Sequence, residues 1–194
     1  DEKYLDFGLE LLKKIITSSF DTEYFPKSRN IRQLVFYLKF FIILREFLKE
    51  SSNEIPGYLD EIIFHLGKGY NFVWGSLKQS LLFNGNHNSN LEDFDVYLDY
   101  QKYSFKSEKR DLGGYGILKN KNVILGMDIG TAPEGKFSEN YQSGTLSFEA
   151  IYKGRKIICN SGYYQNTKKN LNLISRSTAA HSTLTLNNLS LIHI

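Results

Sequence analysis

Residues 144–160 read Gly144-Thr145-Leu146-Ser147-Phe148-Glu149-Ala150-Ile151-Tyr152-Lys153-Gly154-Arg155-Lys156-Ile157-Ile158-Cys159-Asn160. Leu146, Phe148, Ala150 and Tyr152 recur with a period of two, which places them on one face of a strand. Lys153-Gly154 has the chemistry of a tight turn, and Arg155–Asn160 follows as the return strand. The segment is an antiparallel hairpin. Upstream, Tyr115–Lys119 and Asn122–Ile129 flank Lys119-Asn120-Lys121 and predict a second hairpin. Downstream, Ser177–Asn187 reads as a further strand, with Leu184 and Leu186 on one side. Ser80–Asn84 is expected to be a short strand, and the Asn-rich run after it is turn chemistry. Strands joined by Gly- and Asn-rich turns predict an antiparallel, sandwich-like β domain over residues 80–194.

Before residue 80 the period is helical. Leu5, Leu9, Leu12 and Ile16 share one helix face. A second helix is expected from Asn30 to Lys49, capped by Ser28 or Asn30. Its apolar stripe includes Phe36, Phe40 and Phe47 and is wide enough to predict packing on two sides. A third helix begins near Pro56, a residue suited to the first turn. It buries Leu59, Ile62, Ile63 and Leu66, and Gly67, Gly69 and Gly75 are expected to fragment its end. Residues 1–79 thus read as a helical region, and the fold class is α+β, helices first.

The composition narrows the function. The 194 residues carry a net charge of +3, too mild to argue for nucleic acid. No stretch reaches the ~20 apolar residues of a membrane span. The single cysteine, Cys159, excludes an internal disulfide and a Cys-rich zinc site. Asp1 opens the sequence almost directly into a helix, and Ile194 follows an apolar run. Both ends read as cut, so the chain is expected to be a fragment.

Four histidines are present. His65 sits among apolar helix positions and reads as a boundary residue. His87 lies in a turn and reads as solvated. His193 stands at the end. His181 is expected to start a strand, with small and polar neighbours that leave room for a ligand. The Glu92, Asp93, Asp95, Asp99 cluster does not have calcium-loop spacing. It reads as the wet face of an edge strand.

Three segments form an ordered series: Ser143-Gly-Thr-Leu-Ser-Phe-Glu149, Lys156-Ile-Ile-Cys-Asn-Ser-Gly162, and Arg176-Ser-Thr-Ala-Ala-His-Ser-Thr-Leu-Thr-Leu186. The series resembles the C-terminal domain of the heparinase II/III-like family of bacterial polysaccharide lyases. Ser28-Arg29-Asn30 and Leu82-Phe83-Asn84-Gly85 are similar to segments of the same proteins. The resemblance covers roughly residues 24–190. It implies an α/α toroid, of which residues 1–79 would be the end, followed by antiparallel sheets. It also implies β-elimination on uronic-acid polysaccharides in the bacterial periplasm or cell envelope. In that chemistry the sugar carboxylate is neutralised, a Tyr or His removes the adjacent proton, and an acid protonates the leaving oxygen.

The implied site is carried over position by position. A catalytic histidine of the family falls on Asn140, zinc ligands on Gln142 and Asn160, and the last zinc histidine on His181. Asn and Gln are poor zinc ligands beside His and Asp, so no cofactor is expected, and His181 is left as an incomplete zinc site. Asn140, Gln142, Asn160 and Arg176 become substrate-binding candidates, and His181, Tyr24 and Tyr141 catalytic ones. The partner is expected to be an acidic polysaccharide. Two functions follow: a polysaccharide lyase, or a non-catalytic carbohydrate-binding or envelope protein on the same scaffold. The oligomeric state is not legible.

Overall fold

The computed structural model describes residues 2–75, 77–138, 141–164 and 169–185, so Asn140, His193 and the end of the Ser177–Asn187 segment lie outside the described residues. Helices α1 (Glu2–Ser19), α2 (Ile31–Glu50) and α3 (Gly57–Tyr70) come first. Asn30 caps α2, its Oδ1 accepting from the backbone N–H groups of Arg32 and Gln33. Pro56 stands at the cap of α3, just before the first turn. The glycines expected to fragment α3 instead admit close neighbours. A Cβ on Gly67 would lie 2.1 Å from the Phe105 ring, and one on Gly69 2.8 Å from Leu34. The helix runs on into a π-turn, Asn71–Gly75.

Leu34, Leu38 and Ile42 of α2 meet Leu59, Ile62 and Leu66 of α3 in a core that excludes water. The same cluster continues through Phe83 to Tyr115 and Ile117, so helices and sheet share it. Each such side chain contributes about 1.5–3 kcal/mol of burial. The two-sided packing expected of α2 is not seen among the described residues. Phe36, Phe40 and Phe47 are 62%, 53% and 65% exposed.

Two strand expectations are corrected. Residues 80–84 are irregular, and the acidic cluster lies on a helix, α4 (Glu92–Tyr100). Phe94 and Leu98, four apart, are its buried residues. Glu92, Asp93 and Asp95 occupy its first turn, where the helix dipole favours carboxylates. Asp95 accepts hydrogen bonds from Tyr70 Oη at 2.7 Å, Trp74 Nε1 at 2.9 Å and Lys78 Nζ at 2.7 Å. Burial alone would raise its pKa, but these donors outweigh burial and hold the carboxyl below its ordinary value. Its contribution to stability is present above the unfolded carboxylate pKa and is lost as pH falls through the depressed folded value. Asp95→Asn is expected to cost about 1–2 kcal/mol at neutral pH and to remove that share of the acid-side loss. Denaturant melts over a pH series read both.

Strands β1 (Asp111–Leu112), β2 (Tyr115–Lys119), β3 (Val123–Asp128), β4 (Phe148–Tyr152) and β5 (Arg155–Ile158) form one antiparallel sheet in sequential order. The hairpin expected over residues 144–160 is β4–β5, turning at Lys153 and Gly154, both at positive φ. Gly113 and Gly114, at φ +58° and +78°, make the β1–β2 turn beneath Phe25 and Arg29, where a Cβ would clash. A short helix α5 (Lys169–Arg176) and a 3₁₀ turn, Thr178–Ala180, follow. His181 ends that turn, so the expected strand start is corrected too. Of the other histidines, His65 is partly buried and His87 exposed. No helix among the described residues is long and apolar enough to cross a membrane.

Candidate functional site between helices and sheet

Ser28-Arg29-Asn30 stands where the chain enters α2. Arg29 takes a left-handed backbone conformation, φ 55°, and sends its side chain into the sheet. Its Nε donates to Gly113 O at 3.2 Å, Nη1 to Thr131 O at 2.8 Å and Nη2 to Gly114 O at 2.8 Å. Nη2 also pairs with Asp128 Oδ1, at the end of β3. The guanidinium lies 4.9 Å from the Tyr115 ring centroid. Tyr115 Oη donates to Arg29 O at 2.5 Å. Arg29 therefore bolts the helices to the sheet, a role with no local signature.

The second motif meets the first here. Asn84 Nδ2 donates to Ser28 O at 2.7 Å, and Ser28 Oγ to Gln33 Oε1 at 2.5 Å. Ser28, Asn30, Gln33, Tyr37, Asn84 and Lys136, with Phe137, line a polar cavity of about 130 Å³. Lys136 lies over the Phe137 ring at 5.3 Å, and Lys27 over the same ring at 5.9 Å. The cavity thus joins a cation, amides and a phenol at the seam. Tyr37 and Lys136 escape a sequence reading. Tyr37 looks like one more aromatic in an apolar helix, and Lys136 sits in no motif.

Five of the expected site residues come together in the segments before β4 and after β5. Gln142 is 1% exposed. Its Oε1 accepts from Gly85 N at 3.0 Å and its Nε2 donates to Gly162 O at 3.1 Å. Asn160 Oδ1 accepts from Ser182 N at 2.9 Å. Arg176 Nε and Nη2 donate to Tyr141 O at 3.3 and 3.2 Å. Tyr141 Oη lies 3.1 Å from Thr145 Oγ1. Burial, then the nearby Asp128 charge, pushes the Tyr141 phenol up. The His181 ring packs beside Gly144, and its Nε2 is shielded from water and unpartnered. Burial lowers its pKa, partly offset by a hydrogen bond to the Ser175 backbone.

Tyr24 lies elsewhere. It lines a cleft of about 770 Å³ with His65, Lys68, Lys106 and Lys109, and none of the other expected residues lines it. Its ring stacks on His65 at 4.4 Å. Its Oη donates to Glu61 Oε1 at 2.6 Å, and that bond pushes its pKa up. Among the described residues no three His, Cys, Asp or Glu side chains are grouped to hold a metal.

Residues 105–194 match the family model "Heparinase II/III-like, C-terminal". The chain's fold is similar to that of a solved heparinase III, with a TM-score of 0.75 at 15% identity, over 97% of this chain and 36% of that one. It is similar to the heparan sulfate lyase HepC from Pedobacter heparinus, with a TM-score of 0.75 at 16% identity, over 96% of this chain and 34% of that one. The chain thus spans about a third of the length of these proteins. No curated protein matches it by sequence. Helices followed by an antiparallel sheet are the arrangement the resemblance implied. Residues 105–194 thus match a heparinase II/III-like C-terminal domain, and with the preceding helices they share the fold of the solved heparinases.

Proposed function

We propose that the chain is part of a polysaccharide lyase-like protein that acts by β-elimination on uronic-acid glycans in the bacterial periplasm or cell envelope. The observation that carries this reading is the meeting of Ser28-Arg29-Asn30 with Phe83-Asn84-Gly85 through the Asn84–Ser28 hydrogen bond, at a cavity that also holds Lys136 and Tyr37. A uronate carboxylate needs a cation or donors to make the neighbouring C–H acidic, and Lys136 and the amide of Asn84 are of that type. Proton removal is assigned to Tyr37. The phenols of Tyr24 and Tyr141 already face Glu61 and Thr145.

A second reading, glycan binding without cleavage, is favoured by the positions carried over from the family. Gln142 spends both ends of its amide on backbone groups, and His181 Nε2 is enclosed. Incubating the full-length protein with heparin and alginate decides between them. The lyase reading expects absorbance from an unsaturated product, lost about 100-fold or more in Tyr37→Phe with binding retained. Retained binding with no product from the wild type supports the second reading. Unchanged turnover in Tyr37→Phe removes the assignment of that residue.

A further inference from the structure

The zinc implied by the resemblance does not fit the residues present, whether or not the protein is a lyase. Gln142 Oε1 already accepts from the buried Gly85 N–H, and a neutral amide oxygen is a poor zinc ligand beside His or Asp. Asn160 Oδ1 accepts from Ser182 N, and its shielded, unpartnered atom is Nδ2, a donor that repels a cation. His181 Nε2 is shielded and unpartnered. Ser143 Oγ is the third shielded polar atom without a partner. An amide donor, an imidazole nitrogen and a hydroxyl, with no thiolate or carboxylate among them, leave a divalent charge uncompensated.

We infer that the Gln142 amide takes over the structural work of a metal in this chain. It ties the Asn84–Gly85 loop, the segment before β4 and Gly162 together, and the Ser143–Asn160–His181 group does not hold zinc. The segments are close, because Asn160 bonds Ser182, next to His181, and His181 packs beside Gly144, next to Ser143.

The test uses full-length protein purified from zinc-supplemented medium. Elemental analysis is expected to find zinc well below one per chain, and a chelator to leave Tm unmoved. Stoichiometric zinc whose removal lowers Tm overturns the inference. Gln142→Ala strands two buried backbone groups and is expected to lower Tm by about 5–10 °C in metal-free buffer. An unchanged Tm also overturns it. Gln142→His/Asn160→Asp, with His181 kept, is expected to create zinc-dependent stabilisation that the wild type lacks. A folded double variant with no response to zinc contradicts the substitution. If that variant does not fold, the zinc content of the wild type still decides.

Discussion

Arg29→Ala is expected to destabilise the fold by about 3–5 kcal/mol, because it strands a buried carboxylate, Asp128, and three backbone carbonyls. The side chains of the pair are 10% and 2% exposed. Arg29→Lys is expected to recover little, since an ammonium has no planar fork to reach Gly113, Gly114, Thr131 and Asp128 together. Arg29→Met/Asp128→Leu is expected to cost less than the sum of its parts, because no unpaired charge remains. Denaturant unfolding of the four proteins measures this. Additive costs would show that the two side chains do not act as a pair.

Glu149→Ala is expected to cost a similar amount, about 3–5 kcal/mol. Glu149 is fully buried on β4. Its Oε2 accepts from Lys156 Nζ at 2.9 Å and its Oε1 from Asn160 N at 2.9 Å. Lys156 Nζ also donates to Ser80 O. Removing the carboxylate leaves a largely buried ammonium against a carbonyl and unties Asn160. The same melts check it. A loss below about 1 kcal/mol would place this pair with exposed ion pairs.

Where local physics decides structure, the sequence is readable. The period of two and the Lys153-Gly154 turn specify β4–β5, and the period near four with Asn30 specifies α2. The acidic segment is where this reading fails. Asp93, Phe94, Asp95 and Val96 alternate like a strand, yet Phe94 and Leu98 are also four apart. Asp95's three donors come from α3, the π-turn and Lys78, contacts that no short window contains. The site is harder to read for the same reason. Arg29 and Asp128 are 99 residues apart, and Asn84 reaches Ser28 across 56. The motif resemblance contains Ser28, Arg29 and Asn84 but not Asp128. The cavity that Ser28 and Asn84 share with Tyr37 and Lys136 exists only once the sheet is laid against the helices.

The proposed lyase reaction needs an acidic glycan cleaved at the seam between helices and sheet, with Lys136 on its carboxylate. Unsaturated-product formation by the full-length wild type and Lys136→Met on heparin and alginate tests it most directly. The account predicts product from the wild type on at least one polymer and a rate about 100-fold lower in the variant, with an unchanged melting curve. Equal rates in the two proteins, or no product from either on any uronate polymer, would contradict it.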